Sequence, residues 1–319
     1  MDSTGKRCGG RTQPHGKFPE NDGSGRGAFL QNAGTAGIVK KESGGTQSRA
    51  AFLNSSGEKV FQMYQIEVDP HTHSVISLHA YSTVEECARH AAERGLRGIA
   101  VTDHCSLIMA QRENSVEAIL NQKVLPDRIG GVRVWKGVEI DIVDYEGHLA
   151  FEDVPDRFRP GVTGAQVLLP TRDVVIASVH TPFDRDKSRE DVEKNTRMYC
   201  AVLENPYVNI LGHTGRANHP YELRPVLETA KRLNKMIEIN SASLSTYAER
   251  AGKACRSIAE MCRDLGVKIT VSSDAHSAFQ VGEFRAAIAM LESIGFPQSL
   301  IANRTVESFE AALAESRRI

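Results

Sequence analysis

Six short segments of the 319-residue chain end in side chains that bind divalent metals, and each follows or closes an apolar run. Histidine, aspartate and glutamate supply the nitrogen and oxygen ligands that zinc and related dications prefer. The segments are Asp69-Pro-His71-Thr-His73, Thr102-Asp103-His104, Gly137-Val-Glu139, Ser178-Val-His180, Gly212-His213 and Ser273-Asp274-Ala-His276. Any one of these histidines could be an ordinary hydrogen-bonded residue, but six such endings together indicate a shared metal site.

Two of the segments contain ligand residues two positions apart. In an extended chain such residues point to the same side, so His71 and His73 can bind one ion together, and Asp274 and His276 repeat the spacing. A single tetrahedral ion would leave several ligands unused, so we expect two or three ions. Glu139 is a carboxylate among imidazoles and could bridge two of them. The ligand mixture suits Zn²⁺, and Mn²⁺ or Fe would also fit.

The elements that must position these side chains alternate between strand and helix. Apolar runs predict strands near 64–69, 98–102, 132–142, 173–179, 207–211, 236–240 and 267–272. Amphipathic segments predict helices near 83–95, 188–204, 221–234, 250–265, 281–294 and 305–317. The first helix follows an apparent capping box, Ser82-x-x-Glu85, whereas 105–131 fits a helix plus a covering loop. Seven such repeats favour an α/β fold with a closed parallel barrel, whose carboxyl strand ends share one face.

The composition argues against several classes of protein. Lys and Arg number 39 against 40 Asp and Glu, a net charge of -1, so the chain lacks the cationic field that binds nucleic acid. No apolar run reaches the roughly 18 residues of a membrane span and no secretory signal is visible, so we expect a cytoplasmic protein without membrane contact. Six cysteines without a C-x-x-C pair predict reduced thiols, with Cys105 a buried, inert one. Homo-oligomerisation stays open.

Residues 1–62 differ in composition from the rest of the chain. They are rich in Gly, Ser, Asn and Thr and contain few large apolar side chains, so we expect a flexible, disordered tail. Met63 directly precedes the first predicted strand and would be a natural first residue of the folded part, so a misassigned upstream start is the alternative to a tail. The folded domain is therefore predicted to span 63–319.

The motifs together resemble the polymerase and histidinol phosphatase (PHP) family from Met63 to about Phe309. The runs His79-Ala-Tyr-Ser-Thr83 and Ser273-Asp-Ala-His-Ser-Ala-Phe279 are similar to those of its YcdX-like phosphatases. This resemblance implies a distorted seven-stranded (β/α)7 TIM-like barrel. It also implies a trinuclear metal centre, usually of zinc, which hydrolyses phosphate esters.

The resemblance further implies three ligand groups, of which the first two share Glu139. The groups are His71, His73, Glu139 and Asp274; Glu139, His180 and His213; and His79, His104 and His276. Of these residues, only His79 depends on the resemblance alone, because it lies in a loop before a helix. We predict Glu139, Asp274 and His180 as the catalytic residues.

One loop departs from the family pattern. The family commonly has His-Pro-Gly after strand five, whereas this chain has His213-Thr-Gly-Arg-Ala-Asn-His-Pro220. The guanidinium of Arg216 could bind phosphate oxygens in a bidentate manner, and Asn240 follows strand six on the same face. We predict both as substrate-binding residues, and Asp69 as a residue that could orient a ligand from behind.

These features predict a phosphatase in which a metal-bound hydroxide attacks a small phosphomonoester. An amidohydrolase-type enzyme is one alternative, but it would use a bridging residue on strand four and leave His79 and His276 without a role. A PHP-type nuclease is a second, disfavoured by the balanced charge. A metal-binding domain without catalysis is a third.

Overall fold

The computed structural model describes residues 51–53, 59–61, 64–106, 115–180 and 191–317. Most of the predicted tail, 1–62, lies outside these residues. Within it, β1 (Ala51–Leu53) and β2 (Lys59–Phe61) pair antiparallel as a sheet of their own. The start of the helix predicted at 188–204 and part of the covering loop predicted at 105–131 also lie outside the described residues.

Seven parallel strands form a nearly closed barrel among the described residues, and they neighbour one another in chain order. They are β3 (Val68–Thr72), β4 (Gly98–Val101), β7 (Val132–Asp141), β8 (Val174–Ser178), β9 (Ile210–Leu211), β10 (Met236–Asn240) and β11 (Ile269–Ser272). Two short strands, β5 (His104–Cys105) and β6 (Arg128–Ile129), pair with β7. The predicted α/β fold with a seven-stranded parallel barrel is confirmed.

The first barrel strand begins later than the prediction of 64–69. It starts at Val68 and extends to Thr72, so His71 lies within the strand rather than after it. Pro70 has no N–H to donate, and the pairing of β3 with β4 shifts register around it. The apolar pattern was therefore misleading here, because a proline and a histidine stand inside the strand.

The barrel closes between β3 and β11 through individual contacts. His73 N donates to Ala275 O at 2.8 Å. The buried amide of Asn303 accepts from Val271 N at 2.9 Å and donates to Val68 O at 2.8 Å. One side chain thus satisfies backbone groups on both strands where the ladder is interrupted.

Helices follow the strands. Their bounds are α1 Val84–Glu93, α2 Ser115–Leu120, α3 Gly164–Leu168, α4 Val192–Glu204, α5 Leu223–Arg232, α6 Ser241–Ser245, α7 Ala248–Leu265, α8 Arg285–Ser293 and α9 Val306–Glu315. The long helices agree with the predicted segments, whereas the short α3 and α6 were not predicted. No helix within the described residues has the length and apolar character needed to cross a membrane.

The N-terminal cap of α1 is one residue later than predicted. Thr83 is the N-cap, and its capping box is completed by Glu86 rather than by Glu85. The hydroxyl of Ser82 instead accepts a hydrogen bond from Ala278 N at 2.9 Å. Ser82, which the sequence pattern predicted to cap α1, therefore forms a tertiary hydrogen bond instead.

Alternate residues of the strands contribute to two apolar clusters. On β10, Ile237 and Ile239 belong to the large cluster that includes the helices. Met236 belongs to a second cluster with Trp135 and Phe309, the latter on α9. The second cluster lies where the strands begin, so α9 covers the amino end of the barrel and leaves the carboxyl end for polar side chains.

Candidate metal centre

The carboxyl end of the barrel brings together the nine predicted ligand residues. Six of them are buried, at 7% exposure or less, although all are polar or charged. The nine are His71, His73, His79, His104, Glu139, His180, His213, Asp274 and His276. They come from six strand ends and one loop, so the barrel topology alone explains why residues 200 positions apart meet.

Glu139 lies at the centre of this cluster, and its two oxygens face different imidazoles. Oε1 lies 2.9 Å from His213 Nε2 and 3.2 Å from His180 Nε2. Oε2 lies 3.0 Å from His104 Nδ1 and 3.2 Å from His71 Nε2. A carboxylate placed between two sets of nitrogen ligands is suited to bridge two cations.

Three overlapping groups of described residues have ligand atoms within 4.8 Å of one another. They are His71, His73 and Asp274; His104, Glu139 and His180; and His73, His104 and His276. These groups agree in part with those implied by the family resemblance. They differ from the implied groups in two ways. His104 lies close to Glu139 and His180 as well as to His276, and His73 takes the place of His79 beside His104 and His276. Neither His79 nor His213 belongs to any of the three groups.

His79 lies at the edge of the cluster. Its ring stacks on His276 and His104, with centroids 4.6 and 5.1 Å apart. Unlike the other predicted ligands it is exposed. The preceding Leu78 has a φ of 61°, and Tyr81 N donates to His276 O at 2.8 Å, so a tight turn holds this loop against the cluster.

The two carboxylates of the cluster are ionised at neutral pH. Burial alone would raise the pKa of Glu139, but His71 and His180 outweigh it and hold that pKa well below its usual range. Burial is likewise outweighed at Asp274, where His71, His73 and Arg216 lower the pKa. Ionised carboxylates are the form that binds metal.

The imidazoles divide into two sets. In the first set, burial and the neighbouring His104 lower the pKa of His73. Burial also lowers the pKa values of His213 and His276. These three rings are therefore neutral and able to bind a cation.

At His71 and His180, burial is outweighed by carboxylates. Glu139 and Glu238 raise the pKa of His71 well above its usual range, and Glu139 with Asp141 raises the pKa of His180 to about 10. These two rings hold protons that a metal ion would displace.

Several buried polar atoms of the cluster lack hydrogen-bond partners among the described residues. Neither ring nitrogen of His104 forms a hydrogen bond, and nor does Oε2 of Glu139; the 3.0 Å approach of His104 Nδ1 to this oxygen does not have hydrogen-bond geometry. Such buried atoms cost free energy when left unsatisfied. Their chemistry and their mutual proximity fit bound divalent cations.

Two buried carboxylates that the sequence analysis did not single out hold the predicted ligand histidines from behind. Glu238 Oε1 lies 2.6 Å from His71 Nδ1, and its Oε2 accepts from His213 N at 2.6 Å. Asp141 Oδ1 lies 2.6 Å from His180 Nδ1. Contacts of this kind fix ring orientation and raise ligand basicity.

Asp103 acts on His73 through a serine. It accepts from Ser77 Oγ at 2.7 Å, and Ser77 Oγ lies 2.9 Å from His73 Nδ1. Asp69 accepts from Ser273 N at 3.1 Å and from Gly282 N at 2.8 Å. It therefore supports the backbone next to Asp274, as a positioning residue would.

Close backbone packing makes room for Glu139. A Cβ on Gly212 would lie 2.1 Å from Ser178 Oγ, the atom that donates to Glu139 Oε1 at 2.7 Å.

The next residue, His213, has a φ of 23°, and Asp274 has a φ of 55°. Two predicted ligand residues thus occupy backbone conformations that are unfavourable for non-glycine residues, which is common at functional sites.

A cavity of about 560 Å³ opens above the cluster. Its lining includes His79, His104, His180, His213, Asp274, His276, Arg216, His219, Tyr247 and Arg250. Arg216 Nη2 donates to Asp274 Oδ2 at 2.8 Å. Asn240 Nδ2 donates to the same oxygen at 3.2 Å but is buried below the cavity lining, so its predicted contact with substrate stays a prediction.

The thiols agree with their predicted role. Cys105 is fully buried, and burial raises its pKa far above the usual range. Cys255 and Cys262 are also buried within α7. None of the three offers a thiolate to the cluster.

Comparisons with known proteins agree with this geometry. Residues 69–243 match the PHP domain. A probable phosphatase of Caldanaerobacter subterraneus is 39% identical over 80% of this chain and 93% of that protein. A probable phosphatase of Acetivibrio thermocellus is 35% identical over 76% of this chain and 93% of that protein.

Among solved structures, the histidinol phosphate phosphatase of Lactococcus lactis, complexed with zinc, L-histidinol and phosphate, superposes with a TM-score of 0.52 at 18% identity. The match covers 72% of this chain and 94% of that one, and it concerns the fold. The family is shown by the domain match over residues 69–243 and by the relatives, which align along most of their length. The chain belongs to the PHP domain family.

Proposed function

We propose that this protein is a metal-dependent phosphatase of small phosphomonoesters and belongs to the YcdX-like subgroup. The observation that carries the proposal is the position of Glu139, whose two oxygens face separate imidazole groups beneath a cavity. The relatives described as probable phosphatases support it. So does the presence of zinc and phosphate in the Lactococcus lactis protein.

We assign up to three ions to the cluster. His71, His73, Glu139 and Asp274 would hold one, Glu139 with His180 and His213 a second, and His104 with His79 and His276 a third. Bound dications would lower the pKa of water towards about 7 and offset the negative charge of a phosphate group. Imidazole-rich ligand sets suit Zn²⁺, and Mn²⁺ or Fe would also be accepted.

The protein's own residues orient the substrate and hold the ligand set. Arg216 lies at the cavity wall beside Asp274, and its planar guanidinium can bind the non-bridging oxygens of a phosphate. Asp141 holds the ring of His180 so that Nε2 faces Glu139. Asn240 and Arg216 share Asp274 Oδ2, which leaves Oδ1 directed at His71 and His73.

The alternatives are less compatible with these observations. A bridging carboxylate on β7, the third barrel strand, differs from the strand-four bridge expected of an amidohydrolase. A nuclease requires a cationic surface along the nucleic-acid backbone, and the net charge of -1 offers little excess of cations for one. A cavity of about 560 Å³ suits a small molecule.

Metal analysis combined with a phosphatase assay tests the proposal. We expect about two to three equivalents of Zn, Mn or Fe per chain. We also expect hydrolysis of aryl phosphate that chelator abolishes and metal restores. One equivalent or less would exclude the trinuclear centre, and equal rates on diesters or single-stranded DNA would favour a nuclease. The same assay on residues 63–319 tests our proposal that this segment contains the whole active domain.

A further inference from the structure

Two guanidinium groups lie over one aromatic ring in the cavity wall. The Cζ atom of Arg216 is 5.2 Å from the ring centroid of Tyr247, and that of Arg250 is 5.3 Å from it. All three side chains line the cavity that contains the ligand cluster. Stacking of this kind stabilises a cation and holds the planar fork of an arginine in a defined orientation.

The two arginines differ in what neutralises them. Arg216 is paired with Asp274, deep in the cavity. Arg250 forms no ion pair with a carboxylate among the described residues, whereas Arg256, on the same helix, pairs with Glu260. The cavity therefore contains an outer positive charge that the described part of the protein leaves available.

Arg250 is exposed, and its guanidinium lies over Tyr247 at the wall of a cavity much larger than a phosphate group. Because Arg216 and Arg250 lie over the same ring, a single small molecule can reach both. The inner group would meet the scissile phosphate and the outer one the remainder of the substrate.

We infer that the preferred substrate carries a second anionic group, a phosphate or a carboxylate, and that Arg250 binds it. The inference rests on the proposed function, because it takes the scissile phosphate to lie at the ligand cluster beside Arg216. It identifies a specificity-determining residue and a substrate class: phosphomonoesters with a further negative charge on the leaving-group side.

Matched substrates measure this preference directly. Para-carboxyphenyl phosphate is compared with the neutral para-carbamoylphenyl phosphate, and butanediol bisphosphate is compared with hydroxybutyl phosphate. We expect the wild type to favour the anionic member by about tenfold in kcat/KM, mainly through KM, the size expected for one charge-assisted contact. The pair with the larger Arg250-dependent preference identifies carboxylate or phosphate as the second group.

The variants separate the role of Arg250 from a general effect of charge. Arg250→Gln should abolish the preference and leave kcat on the neutral esters unchanged, and Arg250→Lys should restore part of it. Lys253→Gln is the matched control, because Lys253 is an exposed cation on the same helix but does not line the cavity. A wild type without preference, or a preference that survives in Arg250→Gln, would overturn the inference and leave the phosphatase proposal intact.

A binding measurement distinguishes failure of the inference from failure of the proposed function. Calorimetry with metal-loaded protein compares para-carboxybenzylphosphonate with benzylphosphonate, neither of which is hydrolysed. If no ester is turned over but Arg250→Gln still removes a preference for the carboxylated phosphonate, the anion site stands and the phosphatase proposal falls. Equal binding of the two phosphonates by wild type and variant would refute the anion site whatever the turnover.

Discussion

The side chains on the inward face of the barrel strands change from apolar to acidic about halfway along the strands. On β7, Trp135 near the amino end packs in an apolar cluster, while Glu139 and Asp141, at the same parity, are buried carboxylates. On β10 the same change separates Met236 from Glu238. The same strands therefore form an apolar environment at one end of the barrel and a polar one at the other. The alternation of inward and outward side chains is the same at both ends.

The two ends contribute differently to the free energy of folding. At the amino end, the ring of Trp135 packs edge-on against Phe309, with centroids 5.2 Å apart, and buries apolar surface. At the carboxyl end, buried charges cost free energy unless they are paired or bind a metal. The amino ends of the strands therefore contribute mainly to stability, whereas the carboxyl ends hold the side chains proposed to carry out the chemistry.

The largest expected effect comes from removing the charge of Glu139. In Glu139→Gln the neutral amide no longer offsets the charge of the cations beside it, so at least two ions should be lost and turnover should fall by about a thousandfold. Elemental analysis and kinetics measure both. His104→Ala should mainly remove the ion assigned to His79 and His276 and retain some activity.

The control for this change lies at the other end of the barrel. Glu307→Gln alters an exposed carboxylate on α9 that pairs with Arg97, and it should change metal content and turnover negligibly. If Glu139→Gln kept its full metal content and near-normal turnover, Glu139 would not be a bridging ligand.

The second prediction concerns the amino end of the barrel, where a substitution should reduce stability and leave activity unchanged. Phe309→Ala removes a fully buried ring and should lower the free energy of unfolding by about 3–5 kcal/mol. Turnover and metal content per folded molecule should be unchanged. Denaturant unfolding gives the free energy, and Phe158→Ala, at an exposed phenylalanine, is the control. Loss of activity without loss of stability would contradict the division between the two ends.

The sequence predicted the architecture well, because strand ends and helix faces are local patterns that this barrel obeys. Six ligand-bearing segments could be placed on one face from the α/β repeat alone. The errors occurred where tertiary contacts override a local signal. Pro70 sits inside the first strand, and Ser82 accepts from Ala278 rather than capping α1.

Glu238 shows a different kind of omission. It stands within the run Met236-Ile-Glu-Ile-Asn240, in which only the last residue lies at the strand end where functional residues are expected. The signal was present, because Glu238 shares its parity with Asn240 and a lone acid between two isoleucines must be buried with partners. Its contact with His71 joins residues 167 positions apart, so only the fold identifies the partner.

The third prediction tests this positioning role. Glu238→Gln keeps an acceptor for His71 but replaces the oxygen that accepts from His213 N with a donor, so the ligand rings should lose their fixed orientation. Metal affinity should fall by about 10- to 100-fold, as measured by chelator competition. Glu228→Gln, at an exposed glutamate of α5, is the matched control. Unchanged affinity in Glu238→Gln would show that His71 is held adequately by the metal alone.

The smallest expected effect concerns a buried cation at the amino end, Lys235. It is 1% exposed, and its Nζ donates to Ser316 O at 2.7 Å and to Asn205 O at 3.2 Å. Burial, helped by the nearby Arg317, lowers its pKa from 10.5 to about 8. Between these values the unfolded chain holds the proton and the folded protein releases it, so the free energy of unfolding rises with pH.

Lys235→Met removes this titration and nothing else that ionises. The stability of the wild type relative to Lys235→Met should therefore be constant below about pH 7 and increase by about 1–2 kcal/mol between pH 8 and pH 9.5. Urea unfolding of the metal-free proteins measures the difference, and every other ionising group cancels because the two proteins share it. Turnover at neutral pH should be equal, since Lys235 lies at the opposite end from the cavity. A difference that stays flat across this pH range would mean that the two carbonyl acceptors keep Lys235 protonated in the folded state.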